Sequence, residues 1–315
     1  MNPLPEYIQG EYPFTPKSIE LHSAASMSYL DEGEGRAIVM LHGNPSWSFL
    51  YRNLVKRLAP NRRCIVPDHI GCGFSEKPET YTYRLRQHID NIVDLIQKLD
   101  IAEFDLALHD WGGTIGMGLA ERMPERVGRI IAMNTAAFRA SWIPFRINIC
   151  RIPGFGSWVI RGCNGFAGPA SKMAVSQPMT KEVRDGFIFP YGNWQDRVAT
   201  WAFVQDIPMT PFHPTWDTLV KVEKGLSQFK DRKVLLLWGM KDFCFHKKFL
   251  KRWSEFFPEA EVVKYGKAGH YVLEDAGEDA LDRIEAFLSD DGYGAASYFD
   301  RLSALSLSQG PEQQP

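Results

Sequence analysis

The stretch that decides the fold of this chain is Phe104-Asp105-Leu106-Ala107-Leu108-His109-Asp110-Trp111-Gly112-Gly113. Its apolar run ends at Asp110, and the two glycines open an Ala-, Gly- and Met-rich segment, Gly113 to Arg122, that reads as a tightly packed helix. A buried strand therefore delivers a carboxylate into a sharp strand-to-helix turn, where backbone N–H groups of the helix point toward it. This pattern predicts a nucleophile elbow that holds aspartate instead of serine. The competing interpretation is that Asp110 is an ordinary helix N-cap.

The composition is that of an ordinary globular protein with room for a large core. Among 315 residues, 44% are hydrophobic and 23% are charged, which predicts one large domain or a domain with an insertion. A net charge of −2 without any basic block argues against nucleic acid as a partner. Five cysteines without CxxC spacing indicate neither a disulfide framework nor a zinc site, and favour a reducing cytoplasm. We find no secretory leader pattern and no apolar run long enough to cross a bilayer.

Strand and helix patterns alternate along most of the chain. Strands are predicted at 18–22, 27–30, 37–41, 64–68, 104–110, 127–133, 234–238 and 261–265. Helices are predicted at 49–58, 85–99, 113–122, 216–228, 249–257 and 279–288. This alternation predicts an α/β fold with a mostly parallel central sheet and helices on both faces.

The alternation breaks in an aromatic-rich segment without strong strand signals. We expect residues 139–213 to form a helical cap with an apolar face toward a cleft, and residues 1–138 and 214–290 to form the core. Residues 291–315 are predicted to be a disordered tail because they are rich in Ser, Gly, Gln and Asp. For most of the aromatic side chains the simpler interpretation is that they fill the cap's own core. A third interpretation is that parts of the cap rest on a membrane surface.

Four polar side chains follow predicted strand ends, where ligands bind in a parallel sheet. They are Asn44, Asp110, Asp242 and His270. The last three occur in the chain order nucleophile, acid, histidine, which is the order of an α/β-hydrolase triad. In this interpretation His270 is the base, and Asp242 orients its ring.

Other histidines and acids compete for these roles. His42 is expected to bond to backbone in the turn after its strand, and His109 is expected to point away from Asp110 by strand alternation. Asp105, Asp275 and Asp279 are treated as acids without a catalytic role.

An aspartate nucleophile suggests attack on an alkyl carbon or a strained ring, because the resulting ester can be hydrolysed whereas a serine ether cannot. The chain contains no G-x-S-x-G, which disfavours an esterase or lipase. The Trp111 indole and the Asn44 amide would together form a two-donor cradle for an anionic leaving group. The simpler alternatives are that Trp111 only packs against the elbow and that Asn44 belongs to an ordinary Asn-Pro turn.

Over residues 20–290 the chain resembles the haloalkane dehalogenase group of α/β-hydrolases. The stretches that carry the resemblance are His42-Gly-Asn-Pro45, Asp68-His-Ile-Gly-Cys-Gly-Phe-Ser75, His109-Asp-Trp-Gly-Gly113, Asp242 and Gly269-His270. The resemblance implies that Asp110 is the nucleophile, His270 the base and Asp242 the acid. It also implies that Asn44 and Trp111 stabilise the leaving anion. No cofactor or metal is expected.

One dehalogenase subgroup places its acid after the preceding strand, where this chain reads Asn134-Thr-Ala-Ala-Phe138 without an acid. Other stretches are similar to the β-lactone decarboxylases of bacterial long-chain olefin biosynthesis. These stretches are Asn134–Phe138, Pro190–Trp194, Gln205–Pro208 and His270–Asp275. This similarity implies conversion of a cis-3,4-dialkyl β-lactone to a cis-olefin and carbon dioxide. It also implies an assembly with other enzymes of that pathway.

Three alternatives remain at this point. The first is a true haloalkane dehalogenase. The second is an epoxide hydrolase, which is disfavoured because such enzymes usually need two cap tyrosines and the insertion offers only Tyr191. The third is a non-enzymatic scaffold that binds a hydrophobic ligand. In every case the expected partner is a hydrophobic small molecule.

Overall fold

A mostly parallel sheet runs through the computed structural model, which describes residues 4–289. The strands are β1 (Lys17–Glu20), β2 (Ser26–Glu32), β3 (Ala37–Leu41), β4 (Arg63–Pro67), β5 (Phe104–Asp110), β6 (Val127–Thr135), β7 (Val234–Gly239) and β8 (Glu261–Tyr265). Their spatial order is β1-β2-β4-β3-β5-β6-β7-β8. The β1–β2 and β2–β4 pairs are antiparallel, and the other pairs are parallel. This architecture confirms the predicted fold class.

Helices connect the strands across both faces of the sheet. The α-helices are α1 (Glu6–Gln9), α2 (Arg52–Leu58), α3 (Leu85–Lys98), α4 (Trp111–Arg122), α5 (Phe145–Ile149), α6 (Phe155–Ser157), α7 (Ala167–Met173), α8 (Lys181–Ile188), α9 (Val198–Gln205), α10 (Trp216–Gly225), α11 (Lys247–Phe256) and α12 (Val272–Ser289). Short 3₁₀ segments cover Ser48–Tyr51, Pro124–Arg126, Phe189–Tyr191, Gln195–Arg197 and Leu226–Phe229, and a π-helical turn covers Trp158–Gly162. Among residues 4–289, we find no helix with the length and apolar character needed to cross a membrane.

Strand alternation divides the apolar side chains between two cores, one on each face. In β3, Val39 and Leu41 pack with helices α3, α4, α10 and α11, whereas Ile38 and Met40 pack with α2 and α12. All five residues of β3 are buried because both faces are covered. The unbroken apolar run in the sequence therefore marks a central strand.

Most predicted elements appear close to their expected positions. The strands β3 and β8 have the predicted bounds, and β1 pairs with β2 as the predicted hairpin. Helix α12 begins at Val272, seven residues before the predicted start, and has a kink at Gly277 with a φ of 51°. Because this glycine interrupts the helical periodicity, the sequence pattern missed the first turns.

Helices α5 to α9 lie between β6 and α10, within the predicted cap. The exact division into cap and core stays a prediction, and the predicted tail lies outside the described residues. The interpretation of the aromatics as a cap core is wrong for one group, which is exposed: Trp142, Phe145, Phe155, Trp158 and Trp194. Phe187, Tyr191 and Phe203 are buried, but they pack in the two cores that flank the sheet and not in a core of the cap. Only Phe166 and Trp201, of the aromatic residues in the described part of the cap, pack in a small cluster of its own around Ile160.

Candidate active site

The turn after β5 has the geometry of a nucleophile elbow. Asp110 has φ 53° and ψ −124°, a conformation that L-residues rarely adopt and that surrounding contacts must stabilise. The hydroxyl of Thr135 donates to the Asp110 carbonyl oxygen. The neighbouring backbone passes so close that a Cβ atom on Gly43 would lie 2.0 Å from Oδ1 of Asp110. Glycine at this position therefore makes room for the carboxylate.

Two backbone N–H groups hold the Asp110 carboxylate. The Asn44 N–H donates to Oδ1 over 2.7 Å, and the Trp111 N–H, at the first position of α4, also donates to the carboxylate. Burial raises the pKa of Asp110 above its ordinary value, although His270 and these N–H groups oppose that shift. The arrangement supports the elbow interpretation over a plain N-cap, because the Asp110 side chain caps no backbone N–H of the helix beyond Trp111.

The structure brings the three predicted triad residues together. Nδ1 of His270 lies 2.8 Å from Oδ2 of Asp242, and Nε2 lies 3.8 Å from Oδ2 of Asp110. Although burial favours the neutral imidazole, the Asp242 carboxylate raises the pKa of His270 above its usual value. Burial likewise works against the charged form of Asp242, but His270 and hydrogen bonds lower the pKa of that carboxyl. The Asp242 carboxylate thus stabilises the protonated form of His270.

Asn134 supports Asp242, and we did not predict this role from the sequence. Its Nδ2 donates to Oδ2 of Asp242 over 2.9 Å, while its Oδ1 accepts the Gly239 N–H over 2.8 Å. The other carboxylate oxygen, Oδ1, accepts the Cys244 N–H over 2.6 Å. The available signal was the place of Asn134 at the end of β6, where one related subgroup has its acid.

Two residues without a predicted catalytic role hold the loop of His270 in place. Nε2 of His109 lies 2.9 Å from the His270 carbonyl oxygen, so it contacts the backbone behind the candidate base. The Asp275 carboxylate accepts the N–H groups of Gly269 and Ser176, and the Tyr271 N–H donates to the Ala174 carbonyl oxygen. These contacts fasten the loop both to the sheet and to the segment after α7.

Asn44 and Trp111 both border the cleft above Asp110. Nδ2 of Asn44 donates to the Thr200 carbonyl oxygen in α9 over 3.0 Å, which leaves its second N–H for a ligand. The Trp111 indole ring packs 5.3 Å from the Phe203 ring, and its N–H has no acceptor among residues 4–289. The predicted two-donor cradle therefore fits this geometry, with one Asn44 donor already engaged.

The cleft is mainly apolar and has a volume of about 260 Å³. Its walls come from the cap, from residues of helices that include α10 and α11, and from the loops around Asp242 and His270. Apolar lining residues include Leu85, Phe138, Ile147, Phe166, Val204, Leu219, Phe245 and Phe249. Such a lining excludes water and suits an alkyl substrate.

The glycine-bearing loop after β4, residues 68–75, is held by hydrogen bonds to the carboxylate of its first residue. The buried Asp68 carboxylate accepts the N–H groups of Ser48 and Phe74. His42 also has its expected structural role, because Nδ1 lies 2.8 Å from the Gly43 carbonyl oxygen and Nε2 accepts the His69 N–H. Neither residue reaches the cleft.

An aspartate on an elbow, facing a His–Asp pair in an apolar cleft, defines the class: an enzyme of the α/β-hydrolase fold with a carboxylate as candidate nucleophile. A family model described as alpha/beta hydrolase fold matches residues 36–148. A solved haloalkane dehalogenase from Agrobacterium tumefaciens C58 is 25% identical with a TM-score of 0.79. The match covers 87% of this chain and 96% of that one.

Two curated relatives are named cis-3-alkyl-4-alkyloxetan-2-one decarboxylase. The one from Shewanella oneidensis is 42% identical over 84% of this chain and 85% of its own length. The one from Xanthomonas campestris pv. campestris is 43% identical over 88% of this chain and 97% of its own length. The chain belongs to the haloalkane dehalogenase-like α/β-hydrolases, in the family of these β-lactone decarboxylases.

Proposed function

We propose that this enzyme converts cis-3,4-dialkyl β-lactones to cis-olefins and carbon dioxide. The observation that carries the proposal is the Asp110 carboxylate, held by two N–H groups at the floor of an apolar cleft with His270 beside it. Membership of the decarboxylase family supports the choice of a strained lactone as the electrophile. An oxetan-2-one is a β-lactone, that is, the same four-membered ring.

In the proposed first step, Asp110 attacks the ring carbon that carries the alkoxy oxygen. The new bond from the carboxylate oxygen to carbon forms as the ring C–O bond breaks, which frees the lactone's carboxylate. Asn44 and Trp111 donate to this developing anion from the wall of the cleft. Inversion occurs at the attacked carbon.

In the second step, the bond between the freed carboxylate and its neighbouring carbon breaks and releases carbon dioxide. Its electron pair forms the C=C bond while the ester bond to Asp110 breaks, which regenerates the aspartate. An anti elimination after the first inversion gives the cis-olefin from the cis-lactone. No water enters this cycle, so His270 serves by holding positive charge beside Asp110.

A second candidate function is hydrolytic dehalogenation. Asp110 would displace halide from an alkyl carbon, and His270 would then activate a water molecule to cleave the ester. The 3.8 Å separation between Nε2 of His270 and Oδ2 of Asp110 favours this alternative, since it leaves an approach to the ester from the imidazole side. The epoxide hydrolase alternative is weaker, because the Tyr191 hydroxyl donates to the Ser46 carbonyl oxygen instead of reaching the cleft.

A competition assay tests the proposal. The purified protein receives a cis-dialkyl β-lactone and a 1-bromoalkane together, and olefin, carbon dioxide and bromide are measured. We expect equal amounts of olefin and carbon dioxide without bromide, and no product with Asp110→Ala. Bromide without olefin would replace the decarboxylase assignment with the dehalogenase.

We also propose the surroundings in which the enzyme works. The substrate is a hydrophobic small molecule, as the apolar cleft supports, and the protein acts in the cytoplasm in an assembly with other enzymes of olefin biosynthesis. Mixing the purified pathway enzymes and measuring mass by light scattering tests this. A complex larger than every single component is expected, whereas unchanged masses would contradict it.

A further inference from the structure

Five large apolar side chains are exposed in the first part of the cap, where residues 142–150 also contribute to the lining of the cleft. We call them together the aromatic surface: Trp142, Phe145, Ile152, Phe155 and Trp158. Phe145 is 75% exposed and Trp158 is 60% exposed, although large aromatic side chains are normally covered. Trp142 belongs both to this surface and to the lining of the cleft. An apolar surface joined to a binding cleft indicates an interaction site.

The segment that carries the aromatic surface has charged residues of one sign only. No Asp or Glu occurs from Val127 through Lys181. Within 139–181 the basic residues are Arg139, Arg146, Arg151, Arg161, Lys172 and Lys181, in a chain whose net charge is −2. The segment is therefore a positive region of a slightly negative protein.

Several of these cations already have partners elsewhere. Arg139 pairs with Glu223, and Arg161 pairs with Glu79 at 3.0 Å. Arg146 and Lys172 are exposed and have no carboxylate partner within residues 4–289. Arg146 also contacts the sulfur of Met173, at 3.6 Å, so it lies between the cleft lining and the surface.

The positive region continues onto α11. The Trp142 ring lies 4.7 Å from the His246 ring, and His246 is followed by Lys247 and Lys248, both exposed. A second segment of the chain with exposed lysines therefore begins beside Trp142.

We propose that the aromatic surface docks on a lipid bilayer that contains anionic headgroups. Phe145 and Trp158 insert at the level of the headgroups and upper acyl chains, while Arg146 and Lys172 contact the lipid phosphates. The complementary charge favours an anionic bilayer over a protein surface of this chain's own sign. This inference does not rest on the reaction proposed above.

Docking in this orientation directs the mouth of the cleft at the bilayer. Trp142 of the aromatic surface and Arg146, the proposed phosphate contact, both belong to the lining of the cleft. An apolar substrate or product could then pass between lipid and cleft without crossing water. The short helices α5 to α7 lie on the interface and do not span it.

Vesicle flotation tests the proposal with the full chain. We compare phosphatidylcholine vesicles with vesicles that also contain phosphatidylglycerol, without any substrate. We expect the protein to float with the anionic vesicles, to be released by high salt, and to show a blue shift of tryptophan fluorescence on binding. Binding to neither vesicle, or equal binding to both, would overturn the proposal.

Matched variants locate the contact. Phe145→Ser/Trp158→Ser and, separately, Lys172→Glu should each weaken vesicle binding about tenfold, from lost apolar burial and reversed charge. Two control variants should bind as the wild type does. Lys230→Glu reverses the charge of an exposed lysine before the amino-terminal end of β7, and Val262→Ser removes an exposed apolar side chain from β8. Thermal unfolding verifies that each variant is folded.

Wild-type binding by the folded Phe145→Ser/Trp158→Ser variant would overturn the proposal. Light scattering tests the competing possibility that the aromatic surface binds a protein. If the protein ignores vesicles but the double variant loses a self-complex or a complex with pathway enzymes, the surface is a protein interface and the lipid assignment is wrong. Since these measurements use no lactone, their failure is distinct from failure of the decarboxylase assignment.

Discussion

Asn134 donates from Nδ2 to Oδ2 of Asp242 over 2.9 Å, onto the same oxygen that lies 2.8 Å from Nδ1 of His270. A carboxylate with donors on both oxygens keeps its charge and its orientation in a buried site. Asn134 is therefore a positioning residue for the candidate acid.

Asn134→Leu should weaken both activity and stability. It removes the amide from Asp242 and leaves the buried Gly239 N–H without its acceptor, which should lower the free energy of unfolding by about 1–3 kcal/mol. Thermal unfolding and olefin release measure the two effects. The exchange variant Asn134→Asp/Asp242→Asn keeps one acid beside His270, so it should recover more activity than Asp242→Asn alone. Equal activity in those two variants would contradict the positioning role.

His270→Phe should separate the two candidate reactions. With a 1-bromoalkane, the variant should accumulate an alkyl ester on Asp110, since no imidazole activates water, and bromide turnover should fall about 10²–10⁴-fold. Intact mass measures the adduct, and Asp110→Ala is the control that should show none. With the β-lactone, olefin formation should persist at a measurable rate, because the proposed cycle needs no water. Loss of olefin from a folded variant would mean that His270 has a chemical role in decarboxylation.

The pH dependence should differ between the substrates. Asp110 attacks only when ionised, and burial raises its pKa, so olefin formation should decline as the pH falls through that raised value. Water activation also needs neutral His270, whose pKa is raised by Asp242, so bromide turnover should in addition decline as the pH falls through the raised pKa of His270. Rates across a pH series for both substrates test this. An identical dependence for both would be inconsistent with a water-free decarboxylation.

Gly43→Ala should disturb the elbow through a steric clash. The added Cβ would lie 2.0 Å from Oδ1 of Asp110, and relieving this overlap should cost about 1–3 kcal/mol of stability and displace the carboxylate. Gly266→Ala is the matched control, because a Cβ there meets nothing within 4 Å. Its unfolding free energy should change by less than about 0.5 kcal/mol. Equal effects of the two substitutions on olefin release would be evidence against the steric argument.

The strand ends were predictable because each one leaves a local signal. The apolar run of β3 and the turn after β5 are both contained in a few consecutive residues, so the positions of Asn44 and Asp110 could be inferred directly. The proximity of Asp242 to His270 followed from the rule that carboxyl ends of parallel strands share one edge. The roles of these side chains stay predictions that the variants above test.

The supporting contacts were not predictable because they join distant segments. Thr200 reaches Asn44 from α9, and His109 reaches the carbonyl oxygen of His270, a residue 161 positions away. Neither partner has a sequence pattern of its own. The exposure of Phe145 and Trp158 is compatible with the membrane-surface interpretation of the cap, but the sequence did not decide between that interpretation and burial in a cap core. The residue type alone does not distinguish an exposed aromatic side chain from a buried one.

One stretch of the predicted cap is tied directly to the loop that carries the candidate base. The bonds from Tyr271 to the Ala174 carbonyl and from Ser176 to Asp275 tie the segment after α7 to the loop that carries His270. Displacing residues 174–176 would also displace the loop that holds the imidazole near Asp110. Any motion that admits a bulky substrate therefore has to leave this stretch in place, so that the geometry of the candidate triad is kept while other parts of the cleft wall move.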